Sequence, residues 1–529
     1  MRRPLIVNGF MATGKSTVGE LVARAAQRPF IDLDRVIEAE AGASVENLFA
    51  TRGESSFRSL ERTCLLRILR EAEGTTQAPV ISVGGGALLR RDLRLKVLDE
   101  CVVVTLEGAP AQLVRRALAQ GARPLLAGPD PAARVTELLD LRASAYAEAH
   151  ARISSDAAPE EVAATVRDVW QRDELAVAVG HASYAVQIGR GIAHARSAVQ
   201  LKQSPVCVLV SDRTVASLHG YAMESALRQT GAQLIRVDLQ PGEEHKNVQS
   251  VESIWRAALA GAADRQATFV GFGGGVVTDM TGFAASTYMR GVRWVCVPTT
   301  LLAMVDASVG GKTGVDLESA KNAVGAFWQP SAVLCDVDLL RTESQRGFVS
   351  GLAEVVKTAL IGDPELFALL EQNPEQVAER DPELCMELVR RSIRVKARIV
   401  SFDEREGGLR AVLNLGHTVG HALEAQAGYT ALTHGEAVSL GLVAALRLGA
   451  KLAQTPAELS ERTVDLLRRL GLPVALDAAT LGAAAKLIGH DKKRAGASVL
   501  FIFAREVGRV EAQAIALNDL VAQVPTLAS

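Results

Sequence analysis

Apolar and polar positions follow two rhythms along this chain. From residue 5 to about 170, the short apolar runs LIV, PFIDL, APVISVGG and CVVVTL are separated by longer stretches with helical spacing. That alternation predicts an α/β unit built on a parallel sheet. A closing helix is predicted over about 159–170, with Pro159 suited to its first turn and Glu160 and Glu161 near its positive end. The polar QRDE at 171–174 reads as a boundary, too short and too poor in Gly and Ser to be a free tether. The rhythm then restarts, with strand-like YAVQIG, VCVLVSD, QLIRVDL, ATFVGFGGG and RWVCVPTT up to about residue 338. Beyond 339 the pattern is amphipathic helix with one late strand-like run, SVLFIFA. No internal repeat or low-complexity tract interrupts it.

Composition narrows the class. The chain is 529 residues long, so two or three compact units are expected. With 58 basic and 60 acidic residues the net charge is −2, leaving no global field for nucleic acid or an anionic membrane. No apolar stretch approaches the ~20 residues that span a bilayer. The first residues, MRRPLIVNGF, mimic a signal peptide, but TGKST stands where a cleavage site belongs, so a cytoplasmic protein is expected. Six scattered cysteines without a Cys-x-x-Cys pair are expected to be reduced and buried.

Gly9-Phe-Met-Ala-Thr-Gly14-Lys15-Ser16-Thr17 lies between the first apolar run and the helical VGELVARAA, the strand, loop and helix context of a Walker A motif. Its glycines let backbone N–H groups turn toward phosphate, Lys15 suits the β/γ-phosphates and Ser16 suits Mg2+. In PFIDLDRVIE, strand alternation places Asp32 and Asp34 on one side of a strand end. Carboxylates there hold Mg2+ through water, accept from an acceptor's hydroxyls, or merely form a solvated end with a helix cap. Further on stand Arg58 with Glu61, the triple glycine Gly84-Gly85-Gly86, Arg123 in RPLL, and Arg142 four residues before Tyr146. Arg58 is a fork suited to a carboxylate, and the triple glycine permits close backbone approach, although either alone also suits a purely structural position.

As a set, these motifs resemble shikimate kinase over the first ~170 residues. The resemblance implies phosphorylation of the shikimate 3-hydroxyl by ATP with Mg2+, held through Ser16 and Asp32. It makes Asp34 the base and a ring-hydroxyl ligand together with Gly84, Gly85 and Gly86, and Arg58 and Arg142 the carboxylate ligands. A lid over 121–131 would carry Arg123 to the transferring phosphoryl group, and Arg116 would lie against adenine. The loop reads MATGK where that family often has MGSGK or MGTGK, and Ala12 is expected to leave the phosphate nest intact.

In the remainder, Gly273-Gly274-Gly275 follows an apolar strand and precedes a helical run, which suggests a phosphate-approach loop without the usual G-x-G-x-x-G spacing. Asp212, ending VCVLVSD, is a candidate partner for ribose hydroxyls. His417 and His421, four apart, share a helical face, and His434 follows. Singly each suits a buried, hydrogen-bonded position, but three of the chain's nine histidines gathered here point to a metal. A catalytic zinc takes three protein ligands and keeps one position open. GLAEVVK supplies a candidate carboxylate in Glu354, with Lys357 three residues on.

PGEEHK, GGGVVTD, YMRG, PTT, GGKTG, Lys321-Asn322, GLAEVVK, LNLGHTVGHALE, HGEAV and DKK resemble, in order, 3-dehydroquinate synthase from about residue 175 onward. That similarity implies zinc, or cobalt, on Glu354, His417 and His434, with His421 handling protons. It places NAD along Asp212, Glu243, Lys246, Gly274, Gly275, Val276, Asp279, Thr299 and Thr300. The heptulosonate 7-phosphate DAHP would meet Arg290, Lys312, Asn322, Lys357, Lys396, Arg410, Asn414, His421 and one or both of Lys492 and Lys493, with Lys312, Lys357 and His421 also catalytic. The implied reaction is transient oxidation at C5, phosphate elimination, reduction and ring closure. A homodimer through this half is implied by the resemblance alone. One departure is Thr342-Glu343-Ser344, where relatives commonly show Leu-Pro.

The expected architecture is therefore an α/β chain of three domains. These are a P-loop kinase-like domain over 1–172, a Rossmann-like NAD-binding domain over 173–338 and a mainly α-helical metal and substrate domain over 339–529. The rival for the first part is another metabolite kinase or an ATP-sensing module, and for the second a metal-dependent polyol dehydrogenase. The second rival gives no reason for so many cations around one site.

Overall fold

The computed structural model describes residues 3–119, 130–201, 204–318, 320–428, 431–492 and 498–528. Arg123 and Lys493 lie outside the described residues, and for Lys492 only the backbone is described. The chain forms two compact units, Met1–Gln187 and Ile188–Ser529.

In the first unit, β1 (Leu5–Gly9), α1 (Lys15–Ala26), β2 (Phe30–Asp32), α2 (Leu33–Ala41), α3 (Val45–Ala72) and β3 (Val80–Ser82) are followed by α4 (Arg91–Glu100) and β4 (Val102–Glu107). α5 (Pro110–Ala119), α6 (Pro131–Ala147), β5 (Ala151–Ser154) and α7 (Pro159–Arg172) complete the set. The sheet is parallel, in the order β2-β3-β1-β4-β5. β1 is buried throughout, and its alternate residues feed two cores. Leu5 and Val7 join Val18, Val22 and Trp170, whereas Ile6 joins Leu33, Ile37, Leu65 and Ile68. The Trp170 indole N–H donates to the Arg3 carbonyl (2.7 Å), so α7 closes the unit as its pattern predicts. β6 (Leu175–Val177) pairs antiparallel with β7 (Tyr184–Gly189), Leu175 opposite Val186.

The second unit continues with α8 (Ala193–Gln200), β8 (Val206–Asp212), α9 (Arg213–Arg228), β9 (Gln233–Leu239), α10 (Val248–Ala260), β10 (Thr268–Gly273), α11 (Gly275–Thr287) and β11 (Arg293–Pro298). A hairpin of β12 (Lys312–Leu317) and β13 (Ala320–Phe327) precedes β14 (Ala332–Asp336). Parallel pairing gives the order β14-β11-β10-β8-β9. The helical part comprises α12 (Gln345–Gly362), α13 (Pro364–Gln372), α14 (Pro374–Ala378), α15 (Pro382–Phe402), α16 (His417–Gln426), α17 (His434–Lys451), α18 (Ala457–Arg469), α19 (Ala478–Lys492) and α20 (Leu517–Gln523).

Two sequence readings need correction. The single late strand is a hairpin of β15 (Ser498–Glu506) with β16 (Arg509–Ala516). β16 reads RVEAQAIA, mostly exposed and without the bulky apolar face that marks a strand. Asp34, placed on a strand end by alternation, lies in the first turn of α2, because β2 stops at Asp32.

Candidate functional sites

In the first unit the chain turns sharply after β1. Gly9 has φ 142°, and a Cβ there would fall 2.4 Å from the Leu106 carbonyl oxygen, so only glycine fits. The turn delivers the start of α1, whose first N–H groups have no intrahelical partner and favour an anion. Lys15 Nζ donates to the Phe10 carbonyl (2.9 Å). The Ser16 hydroxyl donates to Asp32 Oδ2 (2.6 Å) and lies 3.3 Å from the Ser82 hydroxyl. Asp32 Oδ1 meanwhile accepts from the Asp34 and Arg35 amides, so this carboxylate caps α2 and faces Ser16 at once.

Ala12, read as a mild departure, occupies φ 62°, a left-handed conformation that L-residues adopt at a cost. Ala12→Gly is therefore expected to raise the stability of the first unit by about 0.5–1 kcal/mol, the left-handed relief exceeding the entropy of an added glycine. Thermal unfolding of the two proteins side by side measures it, and an unchanged or lowered midpoint counts against the strain.

Gly84, Gly85 and Gly86 lie against this loop. A Cβ on Gly85 would sit 3.1 Å from the Gly9 carbonyl, one on Gly84 2.6 Å from Glu61 Oε1 and 3.2 Å from Asp34 Oδ1, and one on Gly86 2.2 Å from Arg58. The Tyr146 hydroxyl (2.6 Å) and Arg142 Nη1 (3.3 Å) both donate to the Gly85 carbonyl. Burial, then the neighbouring Asp32, pushes the Asp34 carboxyl up, against the pull of Lys15 and Arg58. The expected cluster of Lys15, Ser16, Asp32, Asp34, Arg58, the three glycines and Arg142 thus converges. Arg116 instead donates to the hydroxyl (3.3 Å) and carbonyl (3.1 Å) of Ser155.

Glu61, to which the sequence motifs assign no role, stands inside this cluster. It is buried and pairs with Arg58 Nη1 (2.7 Å). Burial pushes its carboxyl up to about 7 despite that arginine. The folded state therefore binds a proton that the unfolded state releases near pH 4.5, so this group's contribution falls as pH rises from about 4.5 to 7 and is level above. Measured from pH 5 to 8, the unfolding midpoint of the protein is expected to fall relative to that of Glu61→Gln. Parallel curves would remove this role.

In the second unit β10 runs into Gly274, which caps α11, and a Cβ on Gly274 would approach Thr300 Cγ2 to 3.3 Å. The Thr299 amide donates to the Gly273 carbonyl (3.0 Å), while its buried hydroxyl meets no partner among the described residues. Val276 follows in the first turn of α11. Lys246 Nζ donates to Asp279 Oδ2 (2.7 Å) and Asn322 Oδ1 (2.6 Å). Burial lowers its pKa, but Asp279 and Glu243 more than offset that and keep it charged. Lys321 bridges Glu243 (3.2 Å) and Glu424 (2.7 Å). Asp212 spends one carboxylate oxygen capping α9, accepting from Thr214 (2.8 Å) and Val215 (3.0 Å).

Three helices then meet around one carboxylate. Glu354 is buried on α12, His417 opens α16 behind Gly416, and His434 opens α17 behind the Thr433 cap, whose box is completed by Glu436. Glu354 Oε1 lies 3.2 Å from His434 Nε2 and 3.6 Å from His417 Nε2, and one ligand atom from each residue falls within 4.8 Å of the others. His417 Nδ1 stands 3.2 Å from the Leu415 carbonyl, which favours the tautomer with a bare Nε2 toward Glu354. Glu424 lies 3.7 Å from His434 Nδ1. Burial, assisted by Lys357, lowers the His417 pKa to about 3, whereas hydrogen bonds to Glu354 and Glu424 overcome burial and raise that of His434 to about 9. Lys357, one turn from Glu354, pairs with its other oxygen. The His421 ring lies 5.0 Å from that of His417, and His421, Glu424 and His434 form a second group of metal-ligating type.

Buried cations border this cluster. Lys396 donates to the Asp306 carbonyl (2.6 Å) and pairs with its carboxylate, and Arg410 donates to the Gly310 carbonyl (3.2 Å). Lys312, exposed, pairs with Glu406 (2.7 Å). Arg290 and Asn414 are exposed, and among the described residues neither side chain bonds to this network.

A P-loop facing an acid-and-arginine pocket, and in a separate unit a carboxylate–imidazole cluster beside a glycine-rich turn, define an enzyme with two unlike active sites. Known proteins divide the same way. The shikimate kinase family matches residues 11–171, and the N-terminal and C-terminal 3-dehydroquinate synthase families match 236–350 and 351–494. The 3-dehydroquinate synthase of Bordetella pertussis is 43% identical over 350 residues, covering 66% of this chain and 97% of that protein. That of Nostoc punctiforme is 41% identical over 357 residues, covering 67% and 96%. A solved structure of the 2-epi-5-epi-valiolone synthase ValA from Streptomyces hygroscopicus, with NAD+ and Zn2+ bound, aligns with TM-score 0.60 and 28% identity over 65% of this chain and 96% of that one. The chain belongs to the 3-dehydroquinate synthase family and carries a shikimate kinase domain ahead of it, making it a bifunctional enzyme of the shikimate pathway. No helix among the described residues is long and apolar enough to cross a membrane.

Proposed function

We propose that the two activities are served by the residues gathered above. In the first unit, the loop from Gly9 to Thr17 receives the ATP phosphates, with Lys15 on the β/γ-oxygens and Ser16 and Asp32 suited to a hydrated Mg2+. Asp34, beside the triple glycine, takes the proton from the shikimate 3-hydroxyl. Burial and the neighbouring Asp32 raise its pKa, which makes it a stronger proton acceptor than an exposed carboxylate. Arg58 and Arg142 clamp the substrate carboxylate, and Arg123 is assigned to the transferring phosphoryl group by family resemblance. The reaction needs charge neutralisation more than covalent help from the protein.

In the second unit the donor set Glu354, His417 and His434 fits a zinc or cobalt ion, since the carboxylate is buried and both imidazoles present Nε2 to it. The glycine turn at Gly274 and Gly275, the Thr299 hydroxyl, unpartnered among the described residues, and Thr300 fit the pyrophosphate and ribose of NAD, with Lys246 and Asp279 as neighbours. When bound, the metal supplies Lewis acidity to a vicinal diol and NAD supplies reversible hydride acceptance. The chain's own part is positional and electrostatic. Lys357 keeps Glu354 ionised. Glu424 orients His434. His421 stands at hand for proton transfer, and Lys312, Lys396 and Arg410 offer charge to the DAHP carboxylate and phosphate. Those cations are held by acids and carbonyls that a substrate anion would replace. Arg290, Asn322, Asn414, Lys492 and Lys493 belong to the same assignment, as do a homodimer through this unit and a cytoplasmic location.

The observation that carries this reading is the convergence of Glu354, His417 and His434. Its test is a paired assay on pure protein. Shikimate phosphorylation should require ATP and Mg2+. Phosphate release from DAHP should vanish after chelation and dialysis, and return with Zn2+ or Co2+. Synthase activity that survives complete metal removal would refute it.

A further inference from the structure

Glu343 has no part in the chemistry above, yet it joins two regions that have. It stands at the departure Thr342-Glu343-Ser344, immediately before the residue that caps α12. Its half-buried carboxylate accepts from the Leu301 amide (3.0 Å), directly after Thr299 and Thr300. α12 meets this turn a second time at Gly351, where a Cβ would fall 2.8 Å from both Leu301 Cβ and the Leu302 amide. The same helix presents Glu354 three residues later.

The connector bearing Glu343 is itself anchored. Arg380 donates to the carbonyls of Leu340 (2.7 Å) and Glu343 (2.6 Å) and to Gln345 Oε1 (3.0 Å). We propose that Glu343 is a positioning residue for the dinucleotide: it clasps the 299–301 turn to the start of α12, fixing the NAD-facing threonines relative to the helix that carries the metal carboxylate. This inference rests on the reading that Thr299 and Thr300 face NAD. Burial pushes the Glu343 carboxyl up to about 7, opposed by the Leu301 amide and Arg380, and the buried Cys385 of α15 also faces it. Either protonation state keeps an oxygen able to accept, so glutamine is a fair replacement.

The test is NAD titration of the full-length zinc-loaded protein with Glu343→Gln, Glu343→Ala and Glu343→Leu. Loss of one such hydrogen bond should weaken NAD binding about five- to tenfold in the Ala and Leu variants, while Glu343→Gln stays within about twofold. Zinc content, KM for DAHP and shikimate phosphorylation should hold in all three, which separates positioning from loss of fold. If the leucine variant fails to fold, the alanine variant carries the same expectation. Unchanged NAD affinity in Glu343→Ala, equal weakening in Glu343→Gln, or weakening only together with lost zinc would overturn the proposal. An unaltered protein that bound no NAD would overturn the underlying reading as well, a result distinguishable from all of these.

Discussion

Glu354→Gln is expected to lower 3-dehydroquinate formation by about a thousandfold or more, roughly 4 kcal/mol of transition-state stabilisation, while shikimate phosphorylation stays within about twofold. The buried carboxylate does two things at once. It offers an oxygen to the ion between His417 and His434, and it neutralises Lys357, whose pKa it raises against burial. A neutral amide takes away the buried lysine's paired carboxylate and leaves only Asp306 to offset its charge, a penalty of up to about 3–5 kcal/mol when one partner of such a pair is removed. Lower stability of the second unit should therefore accompany the lost activity. His417→Ala separates the two effects, since it removes a ligand without stranding a charge. It should lose zinc and synthase activity at near-normal stability. Metal content, phosphate release and thermal unfolding of both variants give the answer, and full synthase activity in either would contradict the assignment.

Asp34→Asn should act on the other reaction alone, slowing shikimate phosphorylation by about 10²- to 10⁴-fold, the usual worth of a positioned general base. The half-buried side chain lies against Gly84 and feels the charges of Lys15 and Arg58, so an isosteric amide keeps the packing and removes the proton acceptor. Binding of shikimate should change much less than turnover, because Arg58 and Arg142 remain. Turnover within about threefold of the unaltered protein would instead favour a nucleotide-binding module whose carboxylate only shapes the pocket.

How much of this was legible in the sequence depended on how local each signal was. The phosphate loop was fully readable, because strand, glycines, Lys15 and helix lie within a dozen or so residues. The histidine cluster was readable from composition and the i, i+4 spacing of His417 and His421, but spacing alone does not say which of the three faces Glu354. That choice is made by the caps that start α16 and α17, which aim His417 and His434 and leave His421 one turn along. Glu61 carries no sequence signal of its role, because that role comes from burial beside Gly84 and Asp34, contacts between elements far apart in sequence. Asp212 and Asp32 each serve as helix caps in addition to any ligand role, a use that single-residue motif reading does not separate from binding. The strands β13 and β16, rich in alanine and exposed, lack the apolar alternation on which strand recognition depends.

The most direct test of the central claim is an anomalous difference map, collected at the zinc edge, from crystals of the zinc-loaded protein. A single peak should appear in the second unit, about 2.0–2.2 Å from a Glu354 oxygen and from Nε2 of both His417 and His434. A peak held instead by His421, Glu424 and Nδ1 of His434, or no peak near Glu354, would contradict it.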